Sequence, residues 1–143
     1  MDILRGVLFG TSITVTSIFV RAYCGNIDGP RNVPFQPPGW VFGVVWPILY
    51  VTTGISWALT KRDIPYSILS ALCCSWLVSY VCLRRKRLSA LILCSTTLLA
   101  TTTSIALLRV QQTGSFLLIP LAAWTAFASY INVYDVLGAG GKP

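Results

Sequence analysis

The chain has 143 residues, 55% hydrophobic and only 10% charged, with a net charge of +7 and no histidine; its mean hydropathy is +0.71. Soluble domains carry about 25% charged residues, so water is not the main solvent here, and at about 20 apolar residues per crossing the length fits five membrane spans. The eleven basic residues lie almost wholly between the apolar runs, a pattern of membrane topology and not of nucleic-acid binding.

An all-α, polytopic bundle of five transmembrane helices in a single domain, 1–143, is the expectation. The first apolar run, 3–20, reads as a retained helix and not a signal peptide, because Arg21 interrupts where a small-residue cleavage site would form. Residues 21–39, "RAYCGNIDGPRNVPFQPPG", form the longest connection; dense in Gly and Pro, it is read as a lid. Helices follow over 40–60, 65–83, 88–110 and 115–134. The connections "KRD", "RRKR" and "QQTG" are short, which makes sequential helices antiparallel neighbours.

On the second helix Trp46, Tyr50, Thr53 and Trp57 share a face by spacings of four, three and four. On the fifth, Pro120, Trp124, Ala128 and Ile131 do the same. Both stripes fit interhelical packing or an aromatic interfacial belt, or the two walls of a ligand cavity in the bundle. Trp46 and Trp124 lie deeper than a belt residue needs to. Pro47 frees the carbonyl of Gly43 one turn back, so a bent, aromatic-lined helix would lead down from the lid.

The third helix carries Ser67, Ala71, Ser75 and Ser79 at intervals of four, a small-residue ridge suited to close helix approach and the expected seam of a homodimer. Gly6 and Gly10 stand in the same relation on the first. The hydroxyls of "STTLLATTTS" are expected to bond to carbonyls one turn back. Cys73, Cys74, Cys82 and Cys94 fall inside apolar runs with no C-x-x-C pair and read as packing residues, not as disulfides or metal ligands.

The spans as drawn contain no Asp, Glu, His or Lys, which argues against a proton-driven carrier. Zinc sites and hydrolytic triads lack their parts. Any tetrapyrrole would be held by shape and stacking, since without histidine only thiolate or tyrosine remains as an axial ligand. Arg5, Lys61, Arg62 and Arg109 fall on the N-terminal side of the membrane, and Arg21, Arg31, Arg84, Arg85, Lys86, Arg87 and Lys142 on the other. Positive charge marks the cytosolic side, so the lid and the C-terminus are expected there.

"PPGWVFGVVWPILY" followed by Gly54, together with "IPLAAWTAFASYIN" near the C-terminus, resembles the translocator protein family, also called tryptophan-rich sensory proteins and peripheral-type benzodiazepine receptors. The resemblance implies a five-helix bundle, often dimeric, that binds tetrapyrroles such as protoporphyrin, sterols and benzodiazepine-site ligands beneath the first loop. It implies no cofactor or metal, and in eukaryotes a place in the outer mitochondrial membrane with a role in ligand transport or homeostasis. By motif position Trp40, Phe42, Gly43, Val45 and Trp46 would line the site from the second helix, and Trp124, Ala128 and Ile131 from the fifth. Tyr50, on the Trp46 face, and Trp76, the tryptophan kept in the third helix, complete the expected set. In bacterial relatives tryptophans at the places of Trp46 and Trp124 are implicated in light-dependent porphyrin breakdown, so a photo-oxidative enzyme is one alternative and a regulatory membrane scaffold without ligand another.

The chain departs from the family pattern in three segments. Phe35 and Gly39 replace the usual tryptophan and histidine around the proline pair, Cys73 and Cys74 replace an asparagine and a tryptophan, and the aromatic-basic sterol motif is missing after Tyr134.

Overall fold

The computed structural model describes residues 3–25 and 33–139; Arg31, Lys142 and the middle of the expected lid lie outside them. Among the described residues five α-helices form: α1 Ile3–Cys24, α2 Gly39–Thr60, α3 Asp63–Leu77, α4 Lys86–Arg109 and α5 Ile119–Ala139. A π-helical turn, Val78–Cys82, continues α3, and a 3-10 turn, Ser115–Leu118, leads into α5. Among the described residues all five helical segments are long and apolar enough to cross a membrane.

The boundaries follow local chemistry. Pro38 caps α2 with φ −56° and ψ 151°, a conformation that proline favours and that starts a helix without a donor to lose. Lys61 ends α2 in the left-handed region, its N–H bonded to the Trp57 carbonyl. Gly114, at φ +89°, turns the chain into the 3-10 segment; an added Cβ there would lie 2.9 Å from Leu59. At both ends of the chain the helices outrun the sequence expectation, so Arg21 belongs to the last turn of α1 and Asp135 to α5.

Around the bundle α1 packs against both α2 and α3, α3 against α4, and α4 against α5, while α2 and α5 meet only narrowly. At the α1–α2 crossing Gly6 and Gly54 bring backbones together: a Cβ on Gly54 would sit 2.8 Å from the Gly6 carbonyl oxygen. The Gly6 end of the glycine pair is therefore an intramolecular contact, whereas a Cβ on Gly10 meets nothing within 4 Å.

Contacts between α1 and α3 recur at one offset. Arg5 pairs with Asp63, Ser12 shares a 2.7 Å hydrogen bond with Ser70, Thr16 donates to Cys74 Sγ at 3.3 Å, and Cys24 is disulfide-bonded to Cys82. This corrects the reading of Cys82 as a packing residue. The partner lies 58 residues away, and only the side-by-side ends of α1 and the π-helical turn bring the two Cα atoms to 5.0 Å. Cys73, Cys74 and Cys94 are free.

Near the Gly6–Gly54 crossing the core is tightly occupied. Trp57 stacks on Tyr66 at 6.0 Å, meets Phe9 edge-on and donates its Nε1–H to Asp63 at 2.9 Å. Large apolar side chains such as Val15, Phe19, Val51, Leu91 and Leu98 face outward, as a lipid solvent requires. The hydroxyls of α4 bond back as expected: Thr96 to the Ile92 carbonyl, Thr97 to Leu93, Thr102 to Leu98 and Ser104 to Ala100.

Candidate functional site

Toward the lid the bundle holds a cavity of about 590 Å³. Its size falls within the few hundred to ~1,000 Å³ of small-molecule sites. From α2 it is lined by Phe42, Gly43, Trp46, Pro47 and Tyr50, and from α5 by Ala128, Ile131 and Asn132. The α2 helix continues through Pro47, and the open space beside Gly43, where a Cβ would meet nothing within 4 Å, is part of the cavity wall.

The third helix contributes Cys73, Trp76 and Leu77, followed by Tyr80 of the π-helical turn. The indoles of Trp46 and Trp76 stack with centroids 5.9 Å apart and planes 27° from parallel; Trp76 stacks in turn on Tyr80 at 5.3 Å. Trp46 meets Tyr50 at 6.1 Å and Trp124 edge-on at 6.4 Å. Such pairs hold one another in fixed orientation, so the wall is a rigid aromatic surface. The Trp76 indole N–H is buried with no acceptor among the described residues, as is that of Trp124. Buried donors are nearly always paired, so these two indole N–H groups stand out within the aromatic cluster in and behind the wall.

Of the residues expected in the site, Phe42, Gly43, Trp46, Tyr50, Trp76, Ala128 and Ile131 come together around this cavity. Three do not. Trp40 is 70% exposed at the start of α2, pointing away from the bundle. Val45 packs, half-buried, against the core, because it lies one residue round the helix from Trp46. Trp124 stands behind the wall, touching Phe42 at 5.5 Å as well as Trp46, without lining the cavity.

The sequence reading missed α1 altogether. Ile13, Thr14, Ser17, Ile18 and Arg21 line the cavity, and their spacing of one helical turn, 14, 17 or 18, 21, is a stripe that the hydroxyls and Arg21 could have marked in an otherwise apolar run. Leu93 and Thr96 from α4 and Gln36 from the lid complete the wall. The described part of the lid is tied to the bundle by the hydroxyl of Tyr130, which donates to the Pro34 carbonyl at 3.3 Å. On the expected dimer ridge Ser67, Ala71 and Ser75 face outward, whereas Ser79 is buried in the π-helical turn.

Comparison with known proteins bears on the family. The model of the TspO/MBR family matches residues 5–136. The tryptophan-rich protein TspO of Chlorobaculum tepidum is 26% identical over 109 residues, 68% of this chain and 69% of that protein.

Proposed function

Because this chain belongs to the TspO/MBR family and is a multi-pass membrane protein with five candidate spans, we propose that it is a receptor-like protein for flat hydrophobic molecules. Tetrapyrroles such as protoporphyrin are the first candidates and sterols the second, and the chain would aid their transport or homeostasis. The observation that carries this reading is the cavity of about 590 Å³ walled by the stacked pair Trp46 and Trp76. A slot faced with indoles favours a planar, polarisable ligand over a bulky one.

The test is a titration of the purified protein in uncharged detergent, with tryptophan fluorescence as readout and protoporphyrin and cholesterol compared side by side. Saturable quenching by protoporphyrin supports the reading. Absence of quenching by either ligand favours a regulatory scaffold instead.

A second reading, light-driven breakdown of the bound porphyrin, draws on the contact between Trp46 and Trp124; illumination of the complex with product analysis separates it from binding alone. For a eukaryotic source the same proposal puts the protein in the outer mitochondrial membrane, and in any source it makes it a homodimer with Ser67, Ala71 and Ser75 at the seam.

A further inference from the structure

Among the described residues that line the cavity, Arg21 is the one with a formal charge. We propose that Arg21 makes this cavity selective for flat ligands that carry a carboxylate on their rim, an inference that rests on the ligand-binding reading above and names the chemistry of the ligand's edge.

The position of Arg21 follows from the α1 stripe. Ile13 and Arg21 both line the cavity and lie eight residues apart, about 12 Å along the helix axis. Arg21 is exposed in the last turn of α1, so it stands at the lid end while Ile13 lies deep and buried. Gln36, from the lid, lines the same cavity and adds an amide donor.

Among the described residues no carboxylate is left to neutralise this cation. The two aspartates among the described residues are each paired elsewhere, Asp63 with Arg5 and Asp135 with Lys86 at 3.0 Å. Arg84, Arg85 and Arg87 follow the disulfide-bonded Cys82, so the end of the bundle that bears Arg21 is strongly basic.

The energetic logic has two sides. An ionised carboxylate brought into an apolar slot without a partner is heavily penalised, so without Arg21 the neutral form of a ligand would bind better. With Arg21 at the rim, the planar guanidinium can receive both oxygens of a carboxylate in a fork, while the ring system lies against Trp46 and Trp76. The preference then reverses in favour of the acid.

The experiment uses the full chain in uncharged detergent with two probes of nearly equal shape, protoporphyrin IX and its dimethyl ester. The native protein should bind the diacid about tenfold more tightly than the ester, the size of one charge-assisted contact. Arg21→Gln should abolish that preference and bring the ester to equal or tighter binding, by weakening the diacid while leaving the ester within about twofold, and Arg21→Lys should keep part of the preference. Retained ester binding also reports that the variant is folded. Equal affinity of the native chain for both probes would overturn the proposal, as would a loss in Arg21→Gln that falls alike on acid and ester. Failure of both probes to quench would instead sink the ligand-binding reading, and this inference with it.

Discussion

Ser12 and Ser70 share a hydrogen bond of 2.7 Å across a sequence separation of 58 residues. The same separation links Arg5 to Asp63, Thr16 to Cys74 and Cys24 to Cys82. First and third spans run in the same direction, so a constant offset means that α1 and α3 keep one register over their whole length. Interhelical hydroxyl contacts in membranes contribute modestly, on average about 0.6 kcal/mol. A double-mutant cycle of Ser12→Ala and Ser70→Ala, read by thermal denaturation in detergent, should return a coupling near that size.

Glycine to alanine should have opposite signs at two positions of α2. At Gly54 the new Cβ would lie 2.8 Å from the Gly6 carbonyl oxygen, and because both atoms belong to helix backbones, the helices must separate. A loss on the order of 1–3 kcal/mol is expected. At Gly43 the Cβ meets nothing within 4 Å, so Gly43→Ala should stabilise the helix by up to about 1 kcal/mol. Gly43→Phe, which fills the cavity from the same point, should retain the fold and abolish protoporphyrin quenching.

Trp46→Ala removes a ring that both lines the cavity and stacks on Trp76, and should weaken protoporphyrin binding by on the order of 1 kcal/mol or more. Trp124 touches the wall only from behind. Trp124→Phe, which keeps an aromatic edge against Trp46, should therefore leave the affinity nearly unchanged, whereas Trp124→Ala should lower it by loosening Trp46. Titration of the three variants orders them.

Alkylation in denaturant followed by mass spectrometry should find Cys73, Cys74 and Cys94 modified before reduction, with Cys24 and Cys82 joining them afterwards. The double variant Cys24→Ser, Cys82→Ser should be less stable by about 2–4 kcal/mol, the range for closing a long loop, as measured by thermal denaturation.

If the homodimer seam lies on the exposed part of the α3 ridge, Ala71→Cys in a Cys94→Ser background should form a disulfide-linked dimer on mild oxidation in membranes. A control such as Leu98→Cys, outward-facing on α4, should not. Cross-linking at both positions alike would mark random collision and remove α3 as the interface.

The spans were legible because hydropathy and length decide membrane insertion almost alone, and the cavity face of α2 because Trp46 and Tyr50 repeat at helical spacing. The share of α1 in the wall was not, since Thr14 and Ser17 can satisfy their hydroxyls within a helix and so look like tolerated polarity; Ser17 does donate to the Ile13 carbonyl at 2.9 Å. The covalent link from Cys24 to Cys82 was hidden for a different reason. Thiols far apart in sequence pair only when tertiary packing aligns two helix ends, and no local pattern carries that information.

The link between α1 and the π-helical turn also bears on which way the protein sits. It shares a membrane face with Arg84, Arg85, Lys86 and Arg87, and two sorting rules meet there in opposition: clustered positive charge belongs with the reducing cytosol, whereas cystine persists in oxidising fluid outside it. The thiol state of the chain in intact cells is therefore a compass. Cystine recovered after rapid acid quenching would turn the basic face away from the cytosol, and free thiols would turn it inward and leave that end of the bundle held by packing alone.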